Sequence, residues 1–168
     1  MEKPLTPDNT ALSPDFDNRH FRQALSKFAT GVTVVTTVLP DGSYIGLTAS
    51  SFNSVSLDPP LVLWSLGNRA QSLPFFNSNS HYLINVLAAD QAGLAEQFAS
   101  RAENRFDGVE FSLSRTGLPI IKGALAWFEC YNRSRYPEGD HVIFVGEVER
   151  CEFQTQQPLI YHDGQFLK

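Results

Sequence analysis

The apolar positions of this chain change period several times, and each change marks an element. Between Asn18 and Ala29, Phe21, Leu25 and Phe28 recur at helical spacing. That predicts a helix over roughly residues 19–29, capped by Asn18 and ended before Gly31. Its expected job is to cover an open face of the core, so Phe21, Phe28 and, further on, Phe98 are expected inside. Val32-Thr-Val-Val-Thr-Thr-Val38 is then β-branched, Pro40-Asp41-Gly42 is a turn signal, and Tyr44–Thr48 returns as a second strand. Leu61–Ser65 reads as a buried strand. Residues 71–77 read as one or two helical turns stressed at Pro74, and His81–Leu87 as a strand. Asp90 is the expected cap of a helix near residues 91–100, with Leu94 and Phe98 inward. Residues 101–117 are polar and irregular. Ala124–Arg133 and His141–Phe153 read as long strands joined at Tyr136-Pro-Glu-Gly139, and Leu159–Tyr161, Asp163-Gly164 and Phe166 close the chain.

Strands dominate, most are joined by hairpins, and helices are few. The regular strand–helix alternation of a doubly wound sheet is missing. The expectation is a mainly β, antiparallel barrel with a few peripheral helices. Residues 1–17, with Pro4, Pro7 and Pro14 among acidic residues, read as a flexible arm, and residues 18–168 as one domain.

Charge sharpens this picture. The net charge is −5, of which Glu2, Asp8, Asp15 and Asp17 against Lys3 account for −3 in the arm. The acidic balance argues against nucleic acid as the main partner, while the near-neutral body leaves room for a local basic pocket. No run approaches the roughly 18 apolar residues of a spanning helix, and the N-terminus lacks a basic-then-apolar signal pattern. Cys130 and Cys151 are the only cysteines, which excludes a disulfide-dense scaffold and a four-cysteine zinc site. The expected compartment is the reducing cytoplasm.

The chain has no Gly-x-Gly, no HExxH and no GxSxG. His20, His81, His141 and His162 stand too far apart for a metal. Asp140-His141 pairs a histidine with a carboxylate, yet neighbours on one strand point to opposite faces. A catalytic dyad and a metal centre are therefore not expected, and any redox chemistry falls to a bound cofactor. Thr48-Ala49-Ser50-Ser51 is the densest hydroxyl cluster. Small donors around Ala49 suit the edge of a flat ring or a phosphate, although a strand end with local hydrogen bonds explains them as well. Ser65-Leu66-Gly-Asn-Arg69-Ala-Gln-Ser72 is a candidate phosphate receptor or a solvated turn. Ala99-Ser100-Arg101, with Arg105 one turn on, has the same two readings. His141 opens a strand after a tight turn, where it can meet a ligand or backbone.

Taken together, Phe28–Thr36, Thr48–Phe52, Ser54–Leu61, Asn85-Val-Leu87, Gly139-Asp-His-Val-Ile-Phe-Val-Gly-Glu-Val148 and Pro158–Tyr161 with Gly164 resemble the flavin reductase-like family. The resemblance runs in the family's order over about residues 19–167 and leaves the arm outside. It implies an FMN-binding split barrel working as a homodimer, in which hydride passes from NADH or NADPH to FMN or FAD. It also implies that reduced flavin goes to an oxygenase component. A flavin-binding electron carrier of the same fold is the alternative. The implied flavin contacts are Thr33, Thr48, Ala49, Ser50, Ser51, Ser65, Leu66, Arg69, Ser72, Asn85, Val86, Leu87, Ala99, Ser100 and Arg101. The resemblance places His141 at the nicotinamide and implies no catalytic acid or base.

Overall fold

The computed structural model describes residues 11–167; the first ten residues of the predicted arm and Lys168 lie outside the described residues. Helix α1 spans Asn18–Ser26. After it come β1 (Thr30–Gly31), β2 (Thr33–Val38), β3 (Tyr44–Ala49), β4 (Asn53–Leu57), β5 (Pro60–Gly67), α2 (Leu73–Ser78) and β6 (His81–Val86). A 3-10 turn, Ala89–Gln91, leads into α3 (Ala92–Ala99). Strands β7 (Phe111–Leu113), β8 (Pro119–Ile121), β9 (Ala126–Glu138), β10 (His141–Phe153), β11 (Ile160–His162) and β12 (Gln165–Leu167) complete the chain.

Seven strands form one sheet in the order β3-β2-β6-β9-β10-β5-β4, antiparallel throughout. Its edge strands β3 and β4 do not pair with each other, so the barrel is split. Register shifts at Val145/Gly146 and Val148/Arg150 in β10, and at Ser54/Ser56 in β4, bend the strands. The curl encloses a core of Val35, Trp64, Tyr82, Ile84 and Phe144, capped by Phe76 of α2. Trp64 stacks on Phe144 at 4.8 Å and meets Phe76 edge-on at 5.0 Å. The outer face is also covered there: Val34 and Leu87 pack on Ala95 and Phe98 of α3 and on Ile121. Both faces of β2 are thus apolar or hydrogen-bonded, which explains its continuous β-branched run.

Several expectations need correction. Asp17, not Asn18, caps α1, accepting from the His20 N–H at 2.8 Å. No residue of α1 is buried: Phe21 and Leu25 are 47% and 56% exposed, and Phe28, two residues past its end, is 78% exposed. The helix is held at its C-terminal end, where Ser26 and Lys27 bond Asp163, and its apolar face does not cover this chain's own core. Only Phe98 of the three phenylalanines is core. Pro74 stands in the first turn of α2, where a missing N–H costs nothing. Asp90 is no cap; the Gln91 side chain instead accepts from Ala88 N at 3.0 Å and donates to the Lys122 carbonyl at 2.9 Å. β9 runs through Pro137 to Glu138, because beyond Asn132 it pairs among the described residues with β10 alone and a missing N–H is tolerated. Among the described residues no helix is long and apolar enough to cross a membrane.

Candidate functional site

A groove of about 830 Å³ lies between β3, the end of β5 with the turn after it, and the end of α3 with the loop that follows. Leu47, Leu66 and Phe98 give it apolar walls, and Arg69, Arg101 and Arg105 bring three guanidinium groups to its lining. None of these arginines takes part in an ion pair among the described residues.

Polar side chains hold the walls. Thr48 Oγ1 donates to the Ala95 carbonyl at 2.6 Å and ties β3 to α3. Arg105 Nη1 donates to the Gly46 carbonyl at 3.0 Å. Gln97 Nε2 donates to the Arg105 and Asp107 carbonyls at 2.8 and 2.9 Å, which folds the loop back against α3. Gly46 permits this closeness: an added Cβ would lie 2.9 Å from the Phe98 ring. The sequence marks Arg105 beside Arg101 as a phosphate receptor or a solvated face; its wall-forming bond to β3 depends on a contact that is remote in the chain.

Of the residues singled out in the sequence, Thr48, Leu66, Arg69, Ser72, Ala99 and Arg101 come together in the groove. Ser50 stands exposed just past β3. Ser51 Oγ accepts from Ser65 N at 2.9 Å and also donates to the Ser65 carbonyl, bridging the split in the barrel. Ser100 Oγ donates to the Gln97 carbonyl at 2.7 Å and finishes α3. Other residues are committed to the interior. Thr33 Oγ1 donates to the Ala49 carbonyl at 2.7 Å, and Ala49 itself is core. Asn85 is fully buried; its Nδ2 donates to the Val34 and Pro119 carbonyls and its Oδ1 accepts from Ile121 N at 2.9 Å. Leu87 packs under α3, and Val86 pairs with Thr33 and Ala126 in the sheet. The structure does not bring the Asn85 and Leu87 side chains to the groove.

His141 stands beside the groove, paired in register with Gly67. The carboxylate expected to face away from it does not: Asp140 Oδ1 is 2.6 Å from His141 Nδ1. Alternation fails because Asp140 belongs to the turn rather than to the strand. The hydrogen bond to the imidazole, followed by its charge, holds the Asp140 carboxyl below the usual carboxylate range. Among the described residues no group of three or more His, Cys, Asp or Glu could hold a metal ion.

The flavin reductase like domain matches residues 25–168. The chain belongs to the flavin reductase-like family. Within that family it is 44% identical over 161 residues to the FMN reductase (NADH) SmoA of Agrobacterium fabrum, across 95% of this chain and 91% of that one. It is 34% identical to the reductase subunit HsaB of a flavin-dependent monooxygenase from Rhodococcus jostii, across 96% and 83% of the two chains. The solved NADH:FAD oxidoreductase SgcE6 of Streptomyces globisporus, in complex with NAD and FAD fragments, superposes with a TM-score of 0.87 at 35% identity. That likeness covers 95% of this chain and 96% of SgcE6.

Proposed function

We propose that this protein is an NAD(P)H-dependent flavin reductase using FMN or FAD. The observation that carries the reading is the groove: apolar walls wide enough for a ring system, with three arginines around it for a phosphate tail. Its volume falls within the range of about 300–1,000 Å³ usual for small-ligand sites. Guanidinium forks match phosphate oxygens bidentately. Leu66 and Leu47 would flank the ring, Ser50 would meet its edge, and Arg69, Arg101 and Ser72 would take the phosphate. When bound, the flavin supplies the two-electron acceptor, taking hydride from the reduced nicotinamide.

The chain's own work is to place two rings face to face and keep water out, and orientation of this kind can lower a barrier by about 7–11 kcal/mol. No general base is required, and none lines the groove apart from the carboxylate of Glu103 among the arginines. His141 at the mouth would contact the nicotinamide nucleotide. Residues 18–168 form the catalytic unit and residues 1–17 an appended arm. Like HsaB, whose name makes it the reductase subunit of a monooxygenase, the protein would hand reduced flavin to an oxygenase.

The active form is a homodimer. The support is Phe21 and Leu25 of α1 with Phe28 just beyond it, which stay exposed among the described residues with the Phe16 ring alone beside Phe21. Light scattering at micromolar concentration should give about twice 18.7 kDa; the monomer mass with full activity would refute the dimer. The function itself is tested by following NADH and NADPH oxidation with FMN, with FAD and with neither. Turnover should appear only with flavin supplied or retained. Tightly held FMN without nucleotide oxidation would point to an electron carrier instead.

A further inference from the structure

The turn between β9 and β10 is fixed by groups other than the Asp140 side chain. Gly139 takes a left-handed φ of 57°. Asn68, just beyond β5, grips the turn from the side: its N–H donates to the Asp140 carbonyl at 2.9 Å and its Nδ2 to the Gly139 carbonyl at 3.2 Å. The Asp140 side chain is 96% exposed and free to stay in water. It folds back instead onto His141 Nδ1, its one side-chain hydrogen bond among the described residues.

A carboxylate ionised at neutral pH can only accept, so Nδ1 carries the proton. In the neutral ring Nε2 is then the bare nitrogen, an acceptor. Nε2 is directed toward β5, where a Cβ added to Gly67 would lie 3.8 Å from it. Gly67 lies between Leu66 and Arg69, which both line the groove. Arg22 of α1 is the other charge that acts on Asp140, adding to the pull that keeps it ionised.

We propose that Asp140 is a positioning residue for nucleotide recognition: by accepting from Nδ1–H it presents His141 Nε2 as a hydrogen-bond acceptor for an amide N–H, the carboxamide of a reduced nicotinamide. This rests on the flavin reductase reading and names the recognising atom within it. Asp140 transfers no proton in the reaction and touches no reacting atom.

The test uses the full-length, flavin-supplied protein. Asp140→Ala should raise KM for NADH by about two- to tenfold, the equivalent of one hydrogen bond, and leave kcat within about twofold. Flavin affinity and thermal unfolding should not change, since the side chain is in water. Asp140→Asn retains an acceptor oxygen and should recover part of the loss. In a His141→Ala background, Asp140→Ala should have no further effect. Nitrogen-15 spectra of the imidazole should show Nδ1–H in the parent and lose that preference in Asp140→Ala. An unchanged KM in Asp140→Ala, an effect additive with His141→Ala, or an Nε2–H tautomer in the parent would each overturn the proposal. If the flavin-loaded protein oxidises neither NADH nor NADPH, the functional reading fails, while the tautomer spectrum still decides whether Asp140 sets the imidazole.

Discussion

Replacing Gly46 with alanine isolates the contact that sets the width of the groove. Gly46 faces α3 from β3, and an added Cβ would lie 2.9 and 3.1 Å from two Phe98 ring carbons and 3.3 Å from Thr36 Cγ2. Phe98 has no exposed surface, and its ring is also edge-packed on Phe106 at 5.0 Å, so it cannot swing into water. Overpacking of this kind costs about 1–3 kcal/mol. For a chain of this length each kcal/mol is worth about 2–4 °C, so Tm should fall by about 2–12 °C. The site should suffer with the fold. Moving α3 off β3 strains the Thr48–Ala95 bond, and moving Gly46 disturbs the carbonyl that anchors Arg105. Flavin affinity should therefore drop as well. Gly93→Ala is the control: it lies in α3 with nothing within 4 Å of the added Cβ. It should stabilise by about 0.5–1 kcal/mol through helix propensity and leave flavin affinity alone. Thermal unfolding at one fixed protein concentration and flavin fluorescence quenching read both effects. A Gly46→Ala protein with parental Tm and parental flavin affinity would refute the packing argument, as would a Gly93→Ala protein destabilised to the same extent.

Other substitutions probe the rest of the site and the core. Ser50→Leu, at an exposed position with no side-chain hydrogen bond among the described residues, should weaken flavin binding while Tm stays within a degree or two of the parent; unchanged affinity would remove Ser50 from the site. Arg101→Met should raise the flavin dissociation constant by about tenfold and flatten its salt dependence, both read by fluorescence titration at two ionic strengths. Glu129 is buried yet ionised: burial opposes its charge, but hydrogen bonds from Ser114 Oγ, Thr116 Oγ1 and Thr116 N outweigh it, and its carboxyl titrates below the usual range. A depressed folded-state pKa gives stability that is complete above the unfolded glutamate value of about 4.3 and lost as pH falls through the folded one. Glu129→Gln should therefore lower stability at pH 7 by about 1–3 kcal/mol and flatten its decline between about pH 5 and 3, as denaturant melts across that range would show.

The strands were legible because their patterns are local. Val32–Val38, Leu61–Ser65 and His81–Leu87 each carry a β-branched or apolar run whose burial follows from strand geometry alone. Strand β4 was not, since Asn53, Ser54 and Ser56 have poor strand propensity and only pairing with β5 makes them a strand. Helix α1 was recognised by its period but misassigned in its packing. Phe21, Leu25 and Phe28 announce a face that must be covered, yet periodicity does not say whether the cover lies in the same chain.

The candidate site was half legible for a related reason. Hydroxyl-rich stretches reveal that hydrogen bonds will be made, not with what. In this chain Thr33, Thr48 and Ser51 spend their hydroxyls on the Ala49, Ala95 and Ser65 backbones, and each of those bonds joins parts of the chain that are at least 14 residues apart. Such hydroxyls shape a groove without having to face it, and a second lone pair on each oxygen still leaves Thr48 able to accept from a ligand at the lining. The same reasoning separates the arginines. Arg105 already donates one arm to Gly46, so its remaining donors point from a fixed origin, whereas Arg69 and Arg101 are exposed and unpaired among the described residues. A phosphate entering the groove would thus meet one pre-set guanidinium and two that must be ordered on binding, at a cost of about 0.5–1.5 kcal/mol each. On the proposed reading the groove would hold the ring by shape and the tail by charges that are ordered only on binding, which is the balance a reductase needs if its reduced flavin is to leave.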